Sequence, residues 1–291
     1  YELVQRYDPQ AQDRPLVRDS VCNVARYAHA RAARWKEFYA VPRVGLGGPT
    51  SHVLPATYEA DLRAVAEMSQ AHTQAAEVLY RQSLETGGHV PRFAGATSMA
   101  LGPYAELLYE TGRTAEAEAL LREDIDLVAN GVTLDSVLRG LVTAARLAWR
   151  RGQREQAFAL LDRAEAIGLT RDWPRLVAGA LLQRLRMLLA EGDGLAALGL
   201  AKRLEQVRAT SEASAARGFA GVEHYCAMAT ALVEMDAGRA RSAVAVLSPV
   251  YEDALASGAH LLAIRLGAML ARAHSLARAR TAALRVLEQV V

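Results

Sequence analysis

The 291-residue sequence predicts an all-α fold in which helical hairpins stack side by side as a solenoid. Three observations support this fold class. One short pattern occurs six times, its copies lie about 40 residues apart, and the alternating β-branched residues typical of strands are missing. Ala, Leu, Arg and Glu, which dominate from residue 94 onward, recur at the three- and four-residue spacing of amphipathic helices.

Each copy of the pattern holds an apolar run, a glycine, an alanine five residues later and two apolar residues shortly after that alanine. The clearest copy surrounds Gly112, where Leu107 and Leu108 precede the glycine, and Ala117 and Leu121 follow it. Further copies surround Gly152, Gly192 and Gly238, and weaker copies have Gln70 or Arg278 in place of the glycine. In the copy at Gln70 the packed alanine and the two apolar residues after it are predicted to be Ala75, Val78 and Leu79. A fixed period of about 40 residues is typical of a right-handed superhelix of tetratricopeptide-like helical hairpins.

The parts of the pattern predict how each hairpin is built. The apolar run ends a first helix, and the glycine adopts the left-handed conformation that closes this helix, because it has no side chain to clash there. A second helix follows the glycine, with an acidic residue such as Glu116 near its positive N-terminal end. The alanine is small because the paired helices approach closely at that point, and the next leucine fills the gap beside it.

Residues 1–291 are predicted to form a single α-solenoid domain. Within it, residues 1–93 are less regular and predict degenerate N-terminal repeats, whereas residues 94–291 form the regular repeats. The segment 41–55 contains three prolines and three glycines, which excludes regular structure there. The sequence starts with Tyr1 and stops inside a predicted helix, so we expect a piece excised from a longer protein.

The composition argues against several classes of partner. The formal net charge is +2 and the basic residues are scattered, so we expect no direct contact of this domain with nucleic acid and none with a membrane. The two cysteines, Cys22 and Cys226, lie far apart without a Cys-x-x-Cys motif. This usage predicts a reducing, cytoplasmic location and neither a zinc site nor a disulfide.

The sequence shows no set of residues with catalytic spacing. The glycine-rich stretch at 45–50 lacks the lysine of a phosphate-binding loop, and Pro49 removes a backbone donor that such a loop needs. The histidines show no metal-ligand spacing, and no serine lies in a G-x-S-x-G turn. We therefore predict that the chain is not an enzyme and holds no cofactor and no metal.

The period also predicts a ligand-binding face. In hairpin solenoids the first helix of each repeat lines a concave groove, and the positions 13, 6 and 3 before the turn glycine share one helical face. The candidate ligand-binding residues are Glu106, Tyr109, Arg139, Arg146, Trp149, Arg186 and Tyr225. In the repeat around Gly238 either His224 or Tyr225 can face inward.

Aromatic rings beside Arg and Glu suit a polar small molecule or a peptide. The alternative is a solvated groove crossed by salt links between repeats.

Two stretches carry a resemblance to a known family. Residues 107–121, and residues 159–168 with 172–178, resemble the sensor repeats of the large MalT-like, ATP-dependent LuxR-type transcription regulators. The likeness extends over about residues 99–205. Such regulators combine an N-terminal nucleotide-binding module, a sensing superhelix and a C-terminal helix-turn-helix. This sequence shows neither a Walker A motif nor a helix-turn-helix, so the resemblance implies the superhelix alone.

The resemblance implies an inducer-sensing and protein-interaction domain. Its expected partners are a small-molecule or peptide inducer and other domains of the same regulator or a partner protein, with self-association as a further expectation. A tetratricopeptide-like scaffold for protein–protein interaction, without enzymatic activity, is the alternative. A screen with small metabolites separates the two, because a scaffold gives no strong small-molecule hit.

Overall fold

The computed structural model describes residues 15–31, 34–43, 53–88, 94–213 and 221–290. These residues form fourteen helices and no strand, so the predicted all-α class is confirmed for the described part of the chain. The helices are α1 (Pro15–Arg31), α2 (Trp35–Ala40), α3 (Val53–Ser69), α4 (Thr73–Gly88), α5 (Ala94–Glu110), α6 (Thr114–Ala129), α7 (Leu134–Arg150), α8 (Arg154–Thr170), α9 (Pro174–Ala190), α10 (Gly194–Ala213), α11 (Glu223–Asp236), α12 (Ala240–Ala256), α13 (His260–Leu276) and α14 (Arg280–Val290).

Two sequence expectations concern the loops between the first helices. The glycine-rich stretch at 45–50 lies outside the described residues. The irregular segment expected over 41–55 is shorter than predicted, because α3 already begins at Val53 and contains Pro55 in its first turn. Proline is tolerated in that turn, where the backbone N–H groups have no intrahelical acceptor. Among the described helices none is long and apolar enough to cross a membrane.

The turn glycines have the conformation that the sequence predicts. Gly112 has a φ of +83°, its N–H donates to the carbonyl of Tyr109 over 3.1 Å, and the N–H of Arg113 donates to the carbonyl of Leu108 over 2.8 Å. This pair of bonds is the Schellman closure of a helix. The same left-handed conformation occurs at Gly152, Gly192 and Gly238.

The two weaker copies of the pattern differ in outcome. Arg278 has a φ of +63° and closes α13 as predicted. Gln70 does not close α3; the left-handed residue is Ala71, whose φ is also +63°. The predicted register of this copy is therefore wrong by one residue. As a consequence Ala76 is fully buried at the hairpin contact, and Val78, which the sequence assigned to the packed face, is 65% exposed.

Each hairpin packs around the alanine that stands five residues after its turn. The alanines of the four regular copies are completely buried: Ala117, Ala157, Ala197 and Ala243. The side chains four residues further on are also buried: Leu121, Leu161, Ala201 and Leu247. Small residues at the contact let the helix axes approach, and the larger ones fill the space beside it.

Six alternate helices, α3, α5, α7, α9, α11 and α13, form a ring, and we call them the inner helices. Each inner helix packs against the next one, and α13 at the end of the series contacts α3 at its start. The remaining members of the hairpins pack against inner helices. Helix α1 lies on α3, where Nη2 of Arg26 is 3.2 Å from Oε1 of Glu59.

Candidate functional site

A cavity of about 500 Å³ lies inside the ring. All six inner helices contribute to its wall, together with residues of α1 and α2, and among the described lining residues none comes from the other helix of a hairpin. The volume is in the range of pockets that hold small organic ligands, about 300–1,000 Å³. Because all six inner helices form the wall, the cavity depends on the contact between α13, the last of them, and α3, the first.

Five of the sequence-predicted residues lie on this wall: Glu106, Arg139, Arg146, Arg186 and Tyr225. The first four stand 6 or 13 residues before a turn glycine, so the repeat places them on the same face of three successive inner helices.

Tyr109 and Trp149 do not line the cavity, contrary to the expectation from sequence. Tyr109 packs beneath the guanidinium of Arg146, which lies 4.1 Å from its ring centroid. Trp149 packs against Phe158, with ring centroids 5.9 Å apart. The inner face continues four residues after Glu106, so the next wall residue is Glu110, and Tyr109 turns towards α7.

His224 and Tyr225 both line the cavity, so both alternatives for the repeat around Gly238 face inward. Their ring centroids are 4.2 Å apart. Burial, together with the charges of Arg175 and Arg265, lowers the pKa of His224 to about 3. The imidazole is therefore neutral at pH 7 and contributes one donor and one acceptor.

Two carboxylates of α5 join the wall through ion pairs. Glu106 pairs with Arg139 of α7 at 2.6 Å and with Arg265 of α13 at 3.0 Å. Glu110 pairs with Arg146 at 2.7 Å and with Arg265 at 3.2 Å. Burial alone raises the pKa of Glu106, but the charges of Arg265, Arg139 and Arg146 outweigh it and lower this pKa to about 2. Salt links between helices, the alternative considered for the groove, are thus part of the site.

Several wall residues were not found by sequence reasoning: Asp61, Glu110, Asp135, Arg175 and Arg265. For Arg265 a signal existed, because it stands 13 residues before Arg278, as Arg139 stands before Gly152. Asp135 and Arg175 form an ion pair on the wall, with Oδ1 and Nη2 3.0 Å apart. Neither residue stands at a position of the repeat that was predicted to face the groove.

Three wall residues have buried polar atoms without a hydrogen-bond partner in the described part of the chain. These atoms are both carboxyl oxygens of Asp61, Nε1 of Trp35 and Nε of Arg175. Burial raises the pKa of Asp61 well above its usual value, and Ser83 offsets this only in part. Burial therefore favours the protonated, neutral form of this carboxyl. Buried polar groups are normally hydrogen-bonded, so these atoms are unusual features of the wall.

Arg186 is the cation of the wall with the weakest partners. Its Nη2 donates to the thioether sulfurs of Met228 at 3.6 Å and Met269 at 3.9 Å, which are weak acceptors. Among the described residues no carboxylate lies within 4.0 Å of it. Burial, together with the charges of Arg146 and Arg265, lowers the pKa of Arg186 to about 10, so the group stays protonated at pH 7.

Comparison with known proteins finds curated relatives for part of this chain. Three curated proteins are similar to it, namely the serine/threonine-protein kinase PknK of two strains of Mycobacterium tuberculosis and of Mycobacterium bovis. Each is 31% identical over 165 residues. The match covers 57% of this chain and 14% of each kinase, so the shared segment is a small part of the curated relatives. No protein-family model matches the chain, and no solved structure matches it.

These relatives correct the prediction that the chain is not an enzyme. That prediction is wrong because it excluded a relationship to enzymes, and the curated proteins similar to this chain are protein kinases. Single catalytic motifs could not reveal this relationship, because the identity is spread over 165 residues.

Proposed function

We propose that this chain is the sensing domain of a larger regulatory protein and that it binds a small molecule in the cavity inside the ring. The observation that carries this proposal is the cavity of about 500 Å³, to which inner helices contribute charged side chains such as Glu106, Arg186 and Arg265. The same wall includes apolar side chains, among them Val142 and Leu182. Mostly apolar walls with a few convergent polar groups are typical of small-molecule sites.

We further propose a right-handed, tetratricopeptide-like superhelix with a period of about 40 residues, as in the sensor region of MalT-like, LuxR-type regulators. The recurrent left-handed turns and the resemblance over about residues 99–205 support this assignment. Similarity to proteins named protein kinases supports a place within a larger signalling protein. Cys22 and Cys226 are buried and form no disulfide, which suits the proposed cytoplasmic location.

The proposed mechanism is linkage between ligand binding and ring closure. A ligand in the cavity contacts α5 and α13 at the same time, so it binds more tightly when these helices are together. Its differential affinity then shifts the chain towards the closed ring and changes the surface that other domains or a second copy contact. The partners in this proposal are the ligand and protein surfaces, without direct contact to nucleic acid or membrane by this domain.

A thermal-shift screen of small metabolites, repeated on a cavity-filling variant, tests the proposal. Ala268 is exposed but lines the cavity, so Ala268→Trp fills the site from α13. The matched control is Ala119→Trp, at an exposed position on α6 outside the wall. We expect hits that stabilise the wild type and the control but not Ala268→Trp. Hits that stabilise all three proteins equally would contradict the cavity as the site.

A scaffold that docks a peptide or helix is the second candidate. It is favoured by the exposed leucines of α14, Leu284 at 51% and Leu287 at 41%. For a scaffold we expect no small-molecule hit in the screen, and we expect partner binding that survives Ala268→Trp but is lost in a Leu284→Ser, Leu287→Ser double variant.

A further inference from the structure

The charges on the cavity wall are unbalanced. The described lining residues include five arginines and four carboxyl groups, and burial favours the neutral form of the Asp61 carboxyl. His224 on the wall is neutral. Even with every carboxyl ionised, five guanidinium groups face four carboxylates, so the wall carries a net positive charge. The pairs already described occupy the carboxylates and leave Arg186 with sulfur acceptors alone.

The surroundings of Arg186 are suited to an anion. A guanidinium has five N–H donors in a planar fork and binds carboxylate or phosphate through two parallel hydrogen bonds. Arg146 and Arg265 lie close enough for their positive charges to act on Arg186. A buried cation without an anionic partner is costly. An anion beside it would remove this cost and would be attracted by all three arginines.

We infer that the ligand of this cavity carries an anionic group, a carboxylate or a phosphate, and that Arg186 binds this group. The inference rests on the proposed function and adds the chemical class of the ligand. Leu182, one helical turn before Arg186, and Met228 give the same part of the wall an apolar surface. The ligand is therefore an organic anion with an apolar body beside its charged end.

The test uses probe molecules that share a phenyl ring but differ in their polar group: benzoate, phenyl phosphate and benzamide, which is the neutral isostere of benzoate. Binding is measured by thermal shift and calorimetry at constant ionic strength, because general salt effects would otherwise mimic weak anion binding. The variant is Arg186→Met. Its matched control is Arg184→Met on the same helix, since Arg184 is outside the wall and pairs with Asp162.

We expect benzoate or phenyl phosphate to stabilise the wild type and benzamide to do so far less. Arg186→Met should weaken anion binding by about tenfold or more, equivalent to at least about 1.4 kcal/mol, whereas Arg184→Met should bind as the wild type does. The ratio between benzoate and phenyl phosphate identifies which anionic group the site prefers. Arg186→Lys keeps the charge without the fork and should bind with intermediate affinity.

Arg186→Met should fold at least as well as the wild type, because it replaces a buried cation by a side chain like its neighbours Met228 and Met269. Equal binding of benzamide and benzoate, or unchanged anion binding by Arg186→Met, would overturn the inference and leave the small-molecule site intact. If neither these probes nor any metabolite of the screen binds the wild type, the proposed function itself fails, and the inference fails with it.

Discussion

Arg265 of α13 donates a hydrogen bond to Oε1 of Glu106 of α5 over 3.0 Å, and this contact joins residues that are 159 positions apart. The same Nη2 lies 3.2 Å from Oε1 of Glu110. One guanidinium thus links the end of the series of inner helices to an early member. The link closes the wall of the cavity between α13 and α5. A ligand that contacts both helices would therefore favour the closed ring.

Glu106→Gln should destabilise the protein by about 3–5 kcal/mol, because loss of one partner leaves the buried cations of a pair uncompensated. Arg139 loses its carboxylate in this variant, and Arg265 keeps only that of Glu110. Chemical denaturation at pH 7 measures the effect. The control is Glu116→Gln, whose exposed pair with Arg113 contributes little. Equal losses in both variants would contradict a structural role of the buried pair.

The neutral state of His224 predicts a pH dependence of folding. Its pKa is about 3 in the folded protein and 6.5 in its usual state, so between these values the unfolded chain binds a proton that the folded chain does not. Stability should therefore fall as the pH drops below 6.5, by about 2 kcal/mol between pH 6.5 and 5. Denaturation curves at several pH values should show this slope in the wild type. His224→Gln should lack it, whereas His72→Gln, at an exposed position, should retain it.

In the absence of ligand, the buried carboxyl of Asp61 should lower the free energy of unfolding. Because its pKa is raised, the folded protein holds a proton above pH 4 that the unfolded chain releases, and stability from this group declines as the pH rises. Asp61→Asn should therefore unfold at the same or a higher denaturant concentration at pH 8. Asp135→Asn should have the opposite effect, since it breaks the 3.0 Å pair with Arg175. A loss of stability in Asp61→Asn would mean that its carboxyl has a favourable partner.

The close approach of α5 and α7 depends on Gly102. A Cβ at this position would overlap the backbone carbonyl oxygen of Ser136 and lie 2.9 Å from the backbone nitrogen of Gly140. Gly102→Ala should destabilise the protein by at least about 1–3 kcal/mol, because backbone atoms must separate to admit the methyl group. Gly199→Ala in α10 meets no atom within 4 Å and should be neutral or stabilising by up to about 1 kcal/mol. Thermal denaturation of both variants measures the difference.

The sequence predicted the local features of the hairpins well, because they depend on neighbouring residues. A glycine at each helix end and a small residue five positions later have a direct physical meaning, and Gly112 with Ala117 shows both. The register failed at Gln70, where Ala71 takes the left-handed turn without the glycine that would have marked it. The side chains assigned from that turn, such as Val78, were consequently displaced by one position.

The sequence predicted only part of the candidate site, because the set of residues that line the cavity depends on how far the series of inner helices curves. The repeat identified Glu106, Arg146 and Arg186 on one face of successive helices. It could not show that the last inner helix returns to the first, so Arg265 and Asp61 were missed. Helical spacing also placed Tyr109 on this face, but positions three and four residues after Glu106 differ in direction by about 100°, and Glu110 is the one that lines the cavity.

The central claim is that the cavity inside the ring is the site of ligand binding. Crystals of the wild type soaked with small organic acids, and with their neutral amides, test this claim most directly. The account predicts electron density inside the ring, with the acid group within hydrogen-bond distance of the Arg186 guanidinium. Ligands found only on the outward faces of the hairpins, with the cavity empty at saturating concentration, would contradict it.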